Sequence, residues 1–156
     1  MSGSSPRFAR GALIAVAGFH LVSALIGAVG LTAFGGMGVP LRWLDGTPFT
    51  NYFWPGVILG VVVGGSQALV LFFLLGRYRL GGGASAAAGL IMMIWIFVEV
   101  GLMLVWSPLH GVFFVTGTVQ VVLAVLALGA WPSPLFAREP TGDGSSPAAP
   151  RHSVGG

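Results

Sequence analysis

The sequence predicts an all-α integral membrane protein, a bundle of four transmembrane helices. Three observations carry that prediction. Of the 156 residues, 55% are hydrophobic and only 7% are charged. Soluble domains carry about 25% charged residues, so this chain lacks the polar side chains needed to face water all round. The apolar residues gather into four long runs, at about 11–34, 55–76, 84–106 and 112–131. Each approaches or exceeds the roughly 20 residues that a helix needs to cross a bilayer. Finally, the basic residues flank these runs unequally, as they do in membrane proteins with a fixed orientation.

Residues 1–10, MSGSSPRFAR, are small, polar and basic, and are expected to lie disordered at the membrane surface. The first run, Gly11 to Phe34, follows a basic start as a signal peptide would. The hydrophobic region of a signal spans only about 7–15 residues, so the run reads as a first transmembrane helix. Gly35, Gly36, Gly38 and Pro40 end it and open a long connection, 35–54. Trp43, Phe49, Tyr52, Phe53 and Trp54 crowd that loop. Aromatic rings favour the headgroup level, so the loop is expected to fold back onto the membrane. Pro55 suits the first turn of the second span, where its missing N–H costs nothing. That span ends at Arg77-Tyr78-Arg79, and a short glycine-rich loop leads to the third, Ala84 to Trp106. Ser107 to Gly111 reads as a tight turn into the fourth span, Val112 to about Trp131. Residues 132–156 mix prolines with Ser, Gly and Ala, a composition too poor in large apolar side chains to offset its ordering entropy. A disordered tail is expected there.

Orientation follows from the arginines. Arg7, Arg10, Arg77, Arg79, Arg138 and Arg151 fall on one side, and Arg42 alone on the other. The rule that positive loops stay inside then gives an up-down-up-down bundle with both termini cytoplasmic and the 35–54 loop external. All seven basic residues are Arg, and 26 residues are Gly. That usage hints at a GC-rich bacterial genome, and so at a bacterial cytoplasmic membrane. The net charge of +3 does not point to nucleic acid, because the basic residues sit singly or in pairs beside apolar runs.

Between helices in lipid there is little hydrophobic drive, so small residues mark packing faces. Gly56, Gly60 and Gly64 recur at four-residue spacing in the second span, with Gln67 close to the same stripe. The stripe is expected to pack within the bundle or to drive a homodimer. Each span carries one non-hydroxyl polar residue on its small-residue face: His20, Gln67, Glu99 and Gln120. These four predict a polar seam, with Glu99 and Gln120 within reach of each other and His20 and Gln67 deeper. Trp95 and Trp106 share a helical face with Glu99 and bracket it.

Glu99 is the first candidate for chemistry. An intramembrane acid marks a functional site by default, so a proton or cation site lined by Trp95 and Gln120 stands beside a neutral, hydrogen-bonded packing role. No basic partner is expected at its depth. His20, like Gln67 a deeper candidate member of that site, could relay protons or ligate a metal, but a single His with no second His or Cys nearby reads more readily as a satisfied core residue. Arg42, Asp45, Asn51 and His110 form a set that either solvates the loops or marks the mouth of a site. With Cys 0 and no paired His, neither a metal site nor a cofactor is expected. No Ser-His-Asp order, G-x-S-x-G elbow, phosphate loop or H-E-x-x-H appears, so an enzyme is not expected.

The run Pro48-Phe49-Thr50-Asn51-Tyr52-Phe53-Trp54-Pro55-Gly56, then Gly64-Gly65, then Trp95 through Glu99, resembles a group of small uncharacterised bacterial four-span membrane proteins. These share an aromatic external loop, a Pro-Gly helix start and a Trp-x-x-x-Glu or Gln step. The likeness covers roughly Pro48 to Gly117; Asn51 stands where an acid is common in the group. It implies the four-span fold and no activity. Small multidrug transporters also combine four spans with one membrane Glu, but theirs lies in the first helix, where this chain has His20. The expectation is a small non-enzymatic membrane protein, structural or accessory, with the lipid bilayer and a second copy or another membrane protein as partners. The alternative is a proton-linked transporter or ligand binder using Glu99.

Overall fold

A computed structural model describes residues 6–128 of the chain. Four long helices make up the fold: α1 (Pro6–Ala33), α2 (Phe53–Leu75), α3 (Gly81–Met103) and α4 (Pro108–Ala127). Each is long and apolar enough to cross a membrane, and no strand occurs among the described residues. The expected disordered tail, 132–156, lies outside the described residues.

Several boundaries differ from the sequence expectation, each for a local reason. Residues 6–10 are not a disordered arm but the start of α1. Arg10 fixes them by donating its Nε–H to the Leu74 carbonyl at the far end of α2, at 2.9 Å. The glycines before Ala84 join α3 because Leu74 packs against Gly81, where a Cβ would come within 2.8 Å of it. That tertiary contact overrides glycine's poor helix propensity. At its other end α3 stops at Met103, since Leu104 turns left-handed with φ 51°. Trp106 therefore lies beyond the helix and does not share a helical face with Glu99. The expected turn 107–111 is instead the start of α4, with Ser107 as N-cap, Pro108 in the first turn and a capping box closed by His110.

Contacts fix how the helices pair. Along α1 and α2, Arg10 meets Leu74, Ala24 meets Gly64 and Ala28 meets Gly60, so the two run antiparallel. On α3 and α4, Gly82 meets Leu128 and Gly89 meets Gly117, again antiparallel. The Gly56–Gly60–Gly64 stripe is thus used inside the bundle, against α1. Its closeness is graded: an added Cβ would lie 2.8 Å from Leu31 at Gly56, 3.0 Å from Ala28 at Gly60 and 3.6 Å from Ala24 at Gly64. Within α2, residues Leu59–Gly64 form a π-helical stretch. A wider turn resets the angular position of everything after it, so straight-helix arithmetic does not carry from Gly60 to Gln67.

The interior is built of small and medium side chains. One apolar cluster joins Leu13, Ala17, Val70, Leu74, Ala88 and Ala124; a second joins Ala24, Val63, Met92 and Ile96. Large apolar residues such as Phe19, Leu69, Phe72, Ile94, Phe97 and Val115 point outward. A water-soluble bundle would bury such residues; a lipid-facing surface accommodates them.

The connection between α1 and α2 folds back over one end of the bundle. Gly36, at φ 95°, is packed under the ring of Tyr52. The Tyr52 hydroxyl donates to the Pro40 carbonyl at 2.9 Å, and Leu44 is buried in the short 3-10 turn Leu41–Leu44. Burial pushes the Tyr52 phenol up from its ordinary value, so it stays a donor at any physiological pH.

Candidate functional site

The polar residues divide into two sites. The first is a buried layer between the two apolar clusters. His20, Gln67 and Gln120 are each 0% exposed. Gln120 Nε2 donates to Gln67 Oε1 at 2.9 Å, and Gln67 Nε2 returns a bond to Gln120 Oε1 at 3.3 Å. Gln120 Oε1 also lies 2.9 Å from His20 Nδ1, and His20 Nε2 lies 2.8 Å from the Thr116 hydroxyl. No buried side-chain N or O among the described residues lacks a partner.

The direction of these bonds is set at one end. Gln67 Nε2 also reaches the Ala88 carbonyl at 3.4 Å, a group that can only accept. That holds the Gln67 amide in one orientation, which orients Gln120, which in turn presents an oxygen to His20. His20 therefore donates from Nδ1 to Gln120 Oε1, and its Nε2 shares the single Thr116 hydroxyl proton with the Val112 carbonyl, 2.8 Å from Thr116 Oγ1. The layer joins α1, α2, α3 and α4 with every polar atom matched. Thr116 was not among the expected members of the seam, although its position one turn before Gln120 is the signal for it.

Glu99 does not belong to this layer. It was expected to meet Gln120, but Gln120 is fully engaged by His20 and Gln67. The neighbour of Glu99 is instead His110, whose Nε2 lies 3.7 Å from Glu99 Oε2. The distance allows electrostatic attraction and exceeds a hydrogen bond. His110 is held there by the start of α4: its Nδ1 accepts the Ser107 backbone N–H at 3.0 Å, while the Ser107 hydroxyl accepts the Leu109 N–H. With Nδ1 spent on the Ser107 N–H, Nε2 is the ring nitrogen turned toward the Glu99 carboxyl group. The expectation of no partner at the depth of Glu99 is corrected on this point. The missed signal was Ser107-Pro108-x-His110, a cap motif with His in the place of the usual Glu or Gln.

Two cavities meet at this pair. One, of about 350 Å³, lies beneath the folded-back loop, walled by Trp43, Phe49 and Tyr52 on the loop side and by Ile58, Val98 and Leu102 on the helices. The other, of about 430 Å³, runs between α1, α3 and α4 past Ser23, Met92 and Phe113. Leu31, Val39, Trp95, Glu99 and His110 line both. The Trp95 indole lies beside the Glu99 carboxylate, one helical turn before it. Of the other loop residues considered, Arg42, Asp45 and Asn51 are exposed and line neither cavity. Asn51 instead accepts the Phe53 N–H at 3.1 Å, ahead of α2. No group of three or more potential metal ligands occurs among the described residues.

Five expected site residues thus fall into two sets, His20, Gln67 and Gln120 in the packed layer, Trp95 and Glu99 at the cavities. No family model, curated protein or solved structure matches the chain.

Proposed function

We propose that this chain is a multi-pass protein of a bacterial cytoplasmic membrane that binds a small apolar or amphiphilic molecule at Glu99, without catalysing a reaction on it. The observation that carries this reading is the division of the polar residues. The His20–Gln67–Gln120 layer accounts for helix packing without Glu99, and Glu99 lines two cavities of about 350 and 430 Å³. Pockets for small molecules have this size and character, mostly apolar walls with a few convergent polar groups. A purely structural or accessory role explains the packed layer but gives the cavities and their acid no use. The arginine count favours cytoplasmic termini, which puts the pocket and its loop on the external side. The likeness to small four-span bacterial proteins agrees with this placement.

Equilibrium dialysis of 1-naphthylmethanol against the purified protein in maltoside micelles tests the reading. One saturable site per chain is expected, weakened at least tenfold by Val98→Phe, which adds bulk to the cavity wall. Uptake no greater than that of empty micelles would remove the proposal.

A further inference from the structure

Around Glu99, His110 presents Nε2 at 3.7 Å while its Nδ1 accepts the Ser107 N–H at the cap of α4. From the loop, Tyr52 is the titratable group lining the cavity, and its hydroxyl is committed to the Pro40 carbonyl. Arg42 and Asp45 line neither cavity. α2 contributes only Pro55, Ile58 and Leu59, and α1 contributes no titratable group, Ser23 being its polar side chain there. His20 lies beyond Phe113, with ring centroids 6.2 Å apart, and is occupied by Gln120 and Thr116. Apart from the His110 imidazole, Glu99 therefore faces no basic side chain among the described residues. In apolar surroundings a bare carboxylate is costly, so it must carry a proton or be matched by a positive charge.

The walls favour the second arrangement when a suitable molecule is present. Trp43, Phe49, Tyr52 and Trp95 place four aromatic rings around the cavity, and the faces of such rings attract cations. Resting on the ligand-binding reading above, we infer that the ligand is a lipophilic monocation, an apolar body bearing one ammonium group, which takes the place of the Glu99 proton. Proton and cation compete for one carboxylate, so each bound cation releases a proton when the acid starts protonated. No bond is made or broken other than the O–H of Glu99, and that proton leaves to water.

The test compares two probes on the full chain in maltoside micelles, (1-naphthylmethyl)trimethylammonium, a permanent cation, and uncharged 1-naphthylmethanol. The cation is expected to bind at least tenfold more tightly than the alcohol at pH 8. Its affinity should rise from pH 5 to pH 9 while that of the alcohol stays level, and a pH-indicator dye should record proton release on binding the cation at the acid end. Glu99→Gln should weaken the cation at least tenfold more than it weakens the alcohol, and residual saturable binding of the alcohol reports that the variant's pocket is formed. If the alcohol binds but Glu99→Gln leaves the cation within threefold of wild type, or the cation's affinity is flat with pH, the pocket stands and the inference falls. Failure of both probes to bind wild type overturns the inference together with the reading it rests on.

Discussion

Glu99 and Gln120 illustrate what decides a polar residue's role in this chain, which is its distance from the helix end. With α3 ending at Met103, Glu99 lies only ~6 Å below that end at 1.5 Å per residue. Gln120 lies ~18 Å from the start of α4 at Pro108, Gln67 ~21 Å from Phe53, and His20 ~20 Å from Ala33. Three residues share a depth and bond to one another; the fourth lies a full two turns nearer the loop. Their single occurrence on each small-residue face was legible in the sequence. Their grouping was not, because helix ends misplaced by three or four residues shift depth by ~5 Å. The consequence for stability is asymmetric. Gln120→Leu strands His20 Nδ1–H and Gln67 Oε1 in an apolar interior, and should destabilise the protein by about 1–3 kcal/mol. Glu99→Gln, at a cavity edge, should cost less than about 1 kcal/mol. Reversible unfolding of the two variants in mixed micelles measures the difference, and equal losses would refute the division into two sites.

At the scale of elements, the helices are set by how closely their backbones approach. The glycine stripe on α2 was readable from its spacing, and it does pack on α1. The tighter approach, between Gly89 on α3 and Gly117 on α4, lacked any repeat to reveal it. A Cβ at Gly89 would lie 2.9 Å from the Gly117 carbonyl and 3.2 Å from the Val121 nitrogen, backbone atoms that cannot rotate aside. Gly89→Ala should therefore push α3 and α4 apart and lower the midpoint of thermal unfolding by several degrees. Gly64→Ala, whose nearest neighbour would be Ala24 at 3.6 Å, has room and should leave the midpoint unchanged or slightly raised. Scanning both variants in the same detergent separates the two, and a larger loss at Gly64 would contradict the packing described. The π-helical stretch of α2 has no sequence signature beyond its glycines, and the capped start of α4 shows why the 107–111 segment reads as a turn: Ser-Pro opens a helix as readily as it ends one.

For the whole molecule, composition pointed to four helices, and the fold has four that are long and apolar enough to cross a membrane. Four apolar helices with small residues inside and large ones outside form a bundle for lipid, and the polar layer at mid-height ties all four together. The loop between α1 and α2 closes one end, leaving Glu99 and His110 under an aromatic roof. What composition did not carry was the empty space there, since cavities depend on where the loop's aromatic rings come to rest. The most direct measurement of the central claim, that Glu99 faces an open external pocket while Gln120 is sealed in the layer, uses the natural absence of cysteine from the chain. Glu99→Cys and Gln120→Cys are expressed singly and intact cells are treated with a membrane-impermeant methanethiosulfonate. Labelling of the first from outside, slowed by 1-naphthylmethanol, with the second unreactive, is the result predicted. Equal labelling at the two positions, or an unreactive thiol at position 99, would contradict the account.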